Sequence, residues 1–66
     1  MKVKDLKEVL HSEDGKILWA KARDVKTGFI VAGDCPIEYI YDTFGECVLE
    51  KLTSRNDEPT LLIRRE

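Results

Sequence analysis

The sequence predicts an α+β domain: an N-terminal helix packed on a small, mainly antiparallel four-stranded sheet made of two hairpins. Three observations carry that prediction. Val3, Leu6, Val9 and Leu10 recur at helical spacing with Lys4, Asp5, Lys7 and Glu8 turned outward. Beyond Gly15 the pattern changes to short runs rich in β-branched and aromatic residues. These runs fall into two pairs, each joined by a turn-rich segment, Asp24-Val25-Lys26-Thr27-Gly28 in the first and residues 54–59 in the second.

The helix is expected over about residues 2–12, with His11 in its last turn, where a positive charge suits the dipole, and Asp14-Gly15 ending it. A helix this short needs packing to hold it. Residues 17–23 read as the first strand, with Leu18, Ala20 and Ala22 on one face and Ile17, Trp19, Lys21 and Arg23 on the other. Residues 29–32 are the return strand, which Gly33-Asp34-Cys35-Pro36 breaks because proline lacks a donor and restricts its predecessor. Residues 37–41 allow two readings. Alternating Ile37, Tyr39 and Tyr41 suit a strand, whereas Pro36 ahead of grouped Ile37, Ile40 and Tyr41 suits a helical turn, the reading we favour. Asp42-Thr43-Phe44-Gly45 is a turn, residues 46–53 a third strand, residues 54–59 a polar loop and residues 60–65 the last strand.

The whole of residues 1–66 makes one domain, with a hydrophobic fraction of 42% for a single modest core. No run approaches the length of a bilayer span or of a signal peptide, so the chain reads as a soluble, cytoplasmic, non-membrane protein. Eleven basic and thirteen acidic residues are interspersed, for a net charge of −2, which argues against a nucleic-acid binder dependent on a basic field. Cys35 and Cys47 have neither a CxxC pattern nor histidines nearby, so a zinc site is not expected, and free thiols are favoured over a disulfide between neighbouring strands.

No catalytic constellation is visible. His11 is the single histidine, Ser12 and Ser54 lie outside any nucleophile motif, and Gly28, Gly33 and Gly45 follow neither the phosphate-loop nor the dinucleotide pattern. The expectation is a protein without enzymatic activity, cofactor or metal. Binding is another matter, because the strands are apolar on both faces: Ile17 and Trp19 oppose Leu18 and Ala20, Phe29 and Val31 oppose Ile30 and Ala32, and Leu61 and Ile63 flank Leu62. One short helix covers one face at most. Either the sheet curls around its own interior or a second subunit covers the remainder, and a homodimer is the expectation.

The candidate binding residues are Trp19, Lys21, Arg23, Tyr39, Tyr41 and Arg64, centred on the three aromatics. The plainer alternative makes Trp19 a core or interface anchor with Lys21 and Arg23 snorkelling at its rim, and the tyrosines half-buried packing groups. Two other uses remain open. Arg23, Arg64 or Arg65 on phosphate with Trp19 on a base would make a sponge for a nucleotide-like ligand, and the same cations with Trp19 would make a nucleic-acid module.

The opening Met1-Lys2-Val3-Lys4-Asp5-Leu6-Lys7-Glu8-Val9-Leu10, the segment Gly33-Asp34-Cys35-Pro36-Ile37-Glu38-Tyr39-Ile40, the Val48/Leu52 strand and the closing Leu61-Leu62-Ile63 together resemble small phage- and prophage-encoded proteins of Gram-positive bacteria. The Cys35-Pro36 step and the loop after Thr53 depart from that pattern. The resemblance implies an accessory protein of the bacterial cytoplasm that binds host proteins and blocks them, defence systems included.

Overall fold

A computed structural model describes residues 1–65, in the order 3₁₀ helix η1 (Val3–Glu8), β1 (Trp19–Asp24), β2 (Ile30–Pro36), α1 (Ile37–Phe44), β3 (Val48–Arg55) and β4 (Glu58–Arg64). The fold is α+β with a four-stranded sheet, and both expected hairpins form, β1 with β2 and β3 with β4. Two features of the topology differ from expectation. The sheet is mixed, because strand order β2-β1-β4-β3 sets β1 beside β4 in parallel register, Lys21 opposite Thr60 and Asp24 opposite Ile63. The α-helix is internal, between the hairpins.

The second feature explains the first. A tight turn would lay β3 antiparallel beside β2, whereas a helix carries the chain across the sheet to the far edge. Pro36 closes β2 at φ −58° and precedes Ile37, Ile40, Tyr41 and Phe44, a spacing that aligns four side chains on one helical face. Three of them are buried and Phe44 packs against the core. The helical reading of residues 37–41 holds and extends by three residues.

The N-terminal segment is shorter and tighter than expected. Val3 and Leu6 stand three apart, the repeat of a 3₁₀ helix, and both are buried, but Val9 is 78% exposed beyond the last turn. Its start is fixed by the α1–β3 turn and the first residue of β3: Val3 N–H donates to the Cys47 carbonyl at 2.9 Å, Lys4 N–H to that of Gly45 at 3.0 Å, and Lys2 bridges to Val48. His11 lies past this helix, not in its last turn.

Pro36 and Gly33 do not break β2. It is an edge strand, where a missing donor is tolerated, and it holds two register irregularities opposite β1 that accommodate the extra residues. The expected loop over 54–59 contracts to Asn56-Asp57, both at positive φ (54° and 64°), a two-residue hairpin turn whose twist matches the strands. Pro59 thereby enters β4, one residue before its ladder to β1 begins at Thr60.

One face of the sheet carries the core. Ala20 and Ala22 of β1, Ala32 of β2, and Leu61 and Ile63 of β4 meet Val3, Leu6, Ile37, Ile40 and Tyr41. The alanines of β1 and β2 let α1 approach the strands beneath it. The smallest dimension is 16 Å, enough for one sheet and one helical layer, whereas another layer would add ~10 Å. The other face therefore stays open.

Candidate functional site

Burial alternates along the central strands, so side chains sort cleanly between core and open face. Trp19, Lys21 and Arg23 of β1 and Glu58, Thr60, Leu62 and Arg64 of β4 stand on the open face, joined through strand register by Ile30 of β2 and by Lys51, Thr53 and Arg55 of β3. Trp19 is 49% exposed and Ile30 48%. Apolar and cationic side chains thus share a surface that nothing else in the described chain covers.

Two carboxylates engage Lys21, whose Nζ lies 3.6 Å from Asp34 Oδ1 and 3.5 Å from Glu58 Oε1. Arg64 pairs with Glu50. Arg65 turns away to the end of β1, its Nε donating to Asp24 Oδ2 at 3.1 Å. Asp24 is buried and also accepts the Lys26 N–H at 2.8 Å, so its carboxyl sits below its usual range, chiefly through that backbone bond and secondarily through Arg65. This closes the β1–β2 loop, in which Gly28 takes φ 78° and donates its N–H to the Asp24 carbonyl at 2.7 Å. Arg23, Lys51 and Arg55 have no ion-pair partner among the described residues.

At the middle of the face lies an open depression of about 420 Å³, bounded by Lys21, Arg23, Ile30, Arg55, Asn56, Glu58 and Thr60. Thr60 is short and half-buried, and the longer neighbours rise around it.

Of the six residues read from the sequence, Trp19, Lys21, Arg23 and Arg64 do share one surface. The tyrosines do not join them. Tyr39 is 53% exposed but belongs to α1 in the other layer, and Tyr41 is 5% exposed with its hydroxyl donating to the Leu10 carbonyl. Burial pushes the Tyr41 phenol up to about 12, so it is a packing residue instead of the binding residue expected. Tyr39 and Tyr41 would share a face only in the strand alternative, because a helix separates positions two apart by more than half a turn. Sequence reasoning also missed Arg55, whose assignment to a polar loop hid its place on the sheet. Arg65, considered for phosphate, is committed to Asp24.

The thiols are free, each half-buried. Cys35 Sγ approaches the Ala20 carbonyl at 3.8 Å, and burial, with Asp34 and Glu58 adding, raises its pKa away from the reactive thiolate. On the helical side, Ser12 Oγ donates to Glu38 Oε1 at 2.7 Å and accepts the Leu18 N–H at 2.9 Å, while Ser12 N–H donates to Glu38 Oε2 at 2.8 Å. These bonds, the backbone one first, lower the Glu38 pKa and strap residues 12–18 to α1. Among the described residues no three His, Cys, Asp or Glu side chains gather as metal ligands, and no helix is long and apolar enough to cross a membrane.

No protein-family model, curated protein or solved structure matches this chain.

Proposed function

We propose that this chain is a non-catalytic accessory protein of a phage or other mobile element that works in the bacterial cytoplasm by docking a host protein on the open face of its sheet, as a defence-blocking protein would. The single observation that carries the reading is Trp19 and Ile30, each about half exposed, on a sheet face that no other layer of the described chain covers. An amphipathic aromatic that shares an exposed face with cations has the composition of an interface anchor with a polar rim. Arg23, Lys51 and Arg55, without ion-pair partners among the described residues, favour a partner whose rim is acidic.

The test compares wild type with a Trp19→Ala/Ile30→Ser variant and a Tyr39→Ala control in affinity capture from host extract, with molecular mass in solution measured for each. The reading expects one stoichiometric host protein retained by wild type and by Tyr39→Ala and lost from the double variant. Equal capture by all three refutes it. A wild-type dimer that becomes monomeric in the double variant and captures nothing assigns the face to a second copy of the chain.

A further inference from the structure

Arginines on this chain are treated in two ways. Arg64 and Arg65 are each matched to a carboxylate, Glu50 and Asp24, whereas Arg23 and Arg55, from strands on opposite sides of β4, border the same depression with no acidic partner among the described residues. Like charges converging on one concavity repel, and an anion between them removes the repulsion. The Glu58 carboxylate on the same wall lies 3.5 Å from Lys21 Nζ and stands in register opposite Arg55, so the lining carries the three cations Lys21, Arg23 and Arg55 against one carboxylate and keeps a positive balance. Asn56 and Thr60 add neutral hydrogen-bonding groups, and Ile30 an apolar wall. The volume of about 420 Å³ falls in the range of small-ligand sites.

We infer that this depression binds a phosphate monoester, gripped by Arg23 and Arg55, whose planar guanidiniums suit bidentate contact with phosphate oxygens. The inference stands apart from the docking proposal, since it needs neither Trp19 nor a protein partner. The titration below separates a site that reads a whole nucleotide from one that reads the phosphoryl group alone.

Backbone amide NMR shifts are followed while inorganic phosphate or adenosine 5′-monophosphate is titrated into wild type, Arg23→Gln, Arg55→Gln and Arg64→Gln. Arg64 lies on the same face but outside the depression, so it controls for general charge. The expected result is saturable shifts at Thr60, Asn56 and Ile30, weakened about tenfold or more by either Arg23→Gln or Arg55→Gln and less than about twofold by Arg64→Gln. Raising salt weakens binding. A nucleotide that binds at least about tenfold tighter than phosphate marks a nucleotide site; equal affinities mark recognition of the phosphoryl group alone. Spectra of the variants away from the site match wild type, which confirms folding. Absence of saturable shifts at about 20 mM phosphate and nucleotide, or equal weakening in all three variants, overturns the inference and leaves host-protein docking untouched.

Discussion

Replacing Tyr41 by phenylalanine separates packing from recognition. The ring stays, 5% exposed beneath the N-terminal layer, and only the hydroxyl is lost, leaving the Leu10 carbonyl without the donor that reaches it across 31 positions. A neutral hydrogen bond contributes about 0.5–1.5 kcal/mol, and a carbonyl left half-buried without its partner raises the loss to about 1–2 kcal/mol. For a chain this size, with total stability of roughly 3–10 kcal/mol, that is a large share. It corresponds to a fall in Tm of roughly 4–8 °C per kcal/mol, or about 1–2 M in urea midpoint at a slope near 1 kcal/mol/M. Far-UV circular dichroism against urea reads it directly. The phenol pKa gives an independent handle: raised to about 12 in the fold against ordinary values near 10, it contributes stability that is whole below pH 10 and is lost as pH climbs toward 12. Tyr41→Phe removes that alkaline decline. A variant with an unchanged midpoint and an unchanged alkaline limb would refute the assignment of Tyr41 to the core.

Gly45→Ala places a Cβ against the Tyr41 carbonyl oxygen and 3.4 Å from Lys4 Cβ, so a loss of about 1–3 kcal/mol is expected by urea titration, and wild-type stability would contradict the packing described. Leu61→Ala empties a fully buried position in a central strand; the expected cost of about 2–5 kcal/mol approaches the whole stability, so amide dispersion collapses in NMR spectra, and a well-dispersed spectrum at 37 °C speaks against it. Glu46 receives Lys2 Nζ at 2.7 Å and Lys4 Nζ at 2.6 Å, which hold its pKa at about 2. Its stabilising effect is whole above pH 4.5 and disappears as pH falls toward 2, so Glu46→Gln flattens the acid limb of a stability profile, more visibly at low salt. Ser12→Ala removes the link between Leu18 N–H and Glu38, and the Leu18 amide is expected to exchange with solvent faster while core amides of β4 do not. Equal protection in both proteins would show that the strap is dispensable.

Local signals in the sequence were reliable wherever a segment answers to its own residues. Gly28 and Asp24 marked the first hairpin, the 20/22 alternation set Ala20 and Ala22 on one face of β1, and the surplus of apolar strand positions showed that one helix could not cover both faces of the sheet. What the residues did not reveal depends on partners distant in the chain. The spacing of three between Val3 and Leu6 was legible as a 3₁₀ repeat only once the Cys47 and Gly45 carbonyls of the α1–β3 turn accept bonds from Val3 and Lys4 and tighten the segment. Pro36 looked like a strand breaker and Pro59 like a loop residue because their tolerance comes from ladder position, an edge strand in one case and, in the other, a place paired with Ser54 of β3 but ahead of the ladder to β1. The parallel centre left no trace in any single run, since β1 and β4 are each compatible with either orientation. Arg55 followed from the same misreading: once Asn56-Asp57 turns the chain in two residues, a residue assigned to a loop becomes part of a face.

The pairing of β1 with β4 also constrains how the molecule reaches its final shape. Each hairpin can zip from its own turn, but Lys21 and Thr60 lie about forty positions apart and must find each other with no turn to guide them. Docking of the two preformed halves, with α1 swung across as the tether, is then the slow event. Until it occurs, both inner strands are edges, apolar and able to recruit a neighbouring chain. Refolding yield is therefore expected to fall as protein concentration rises.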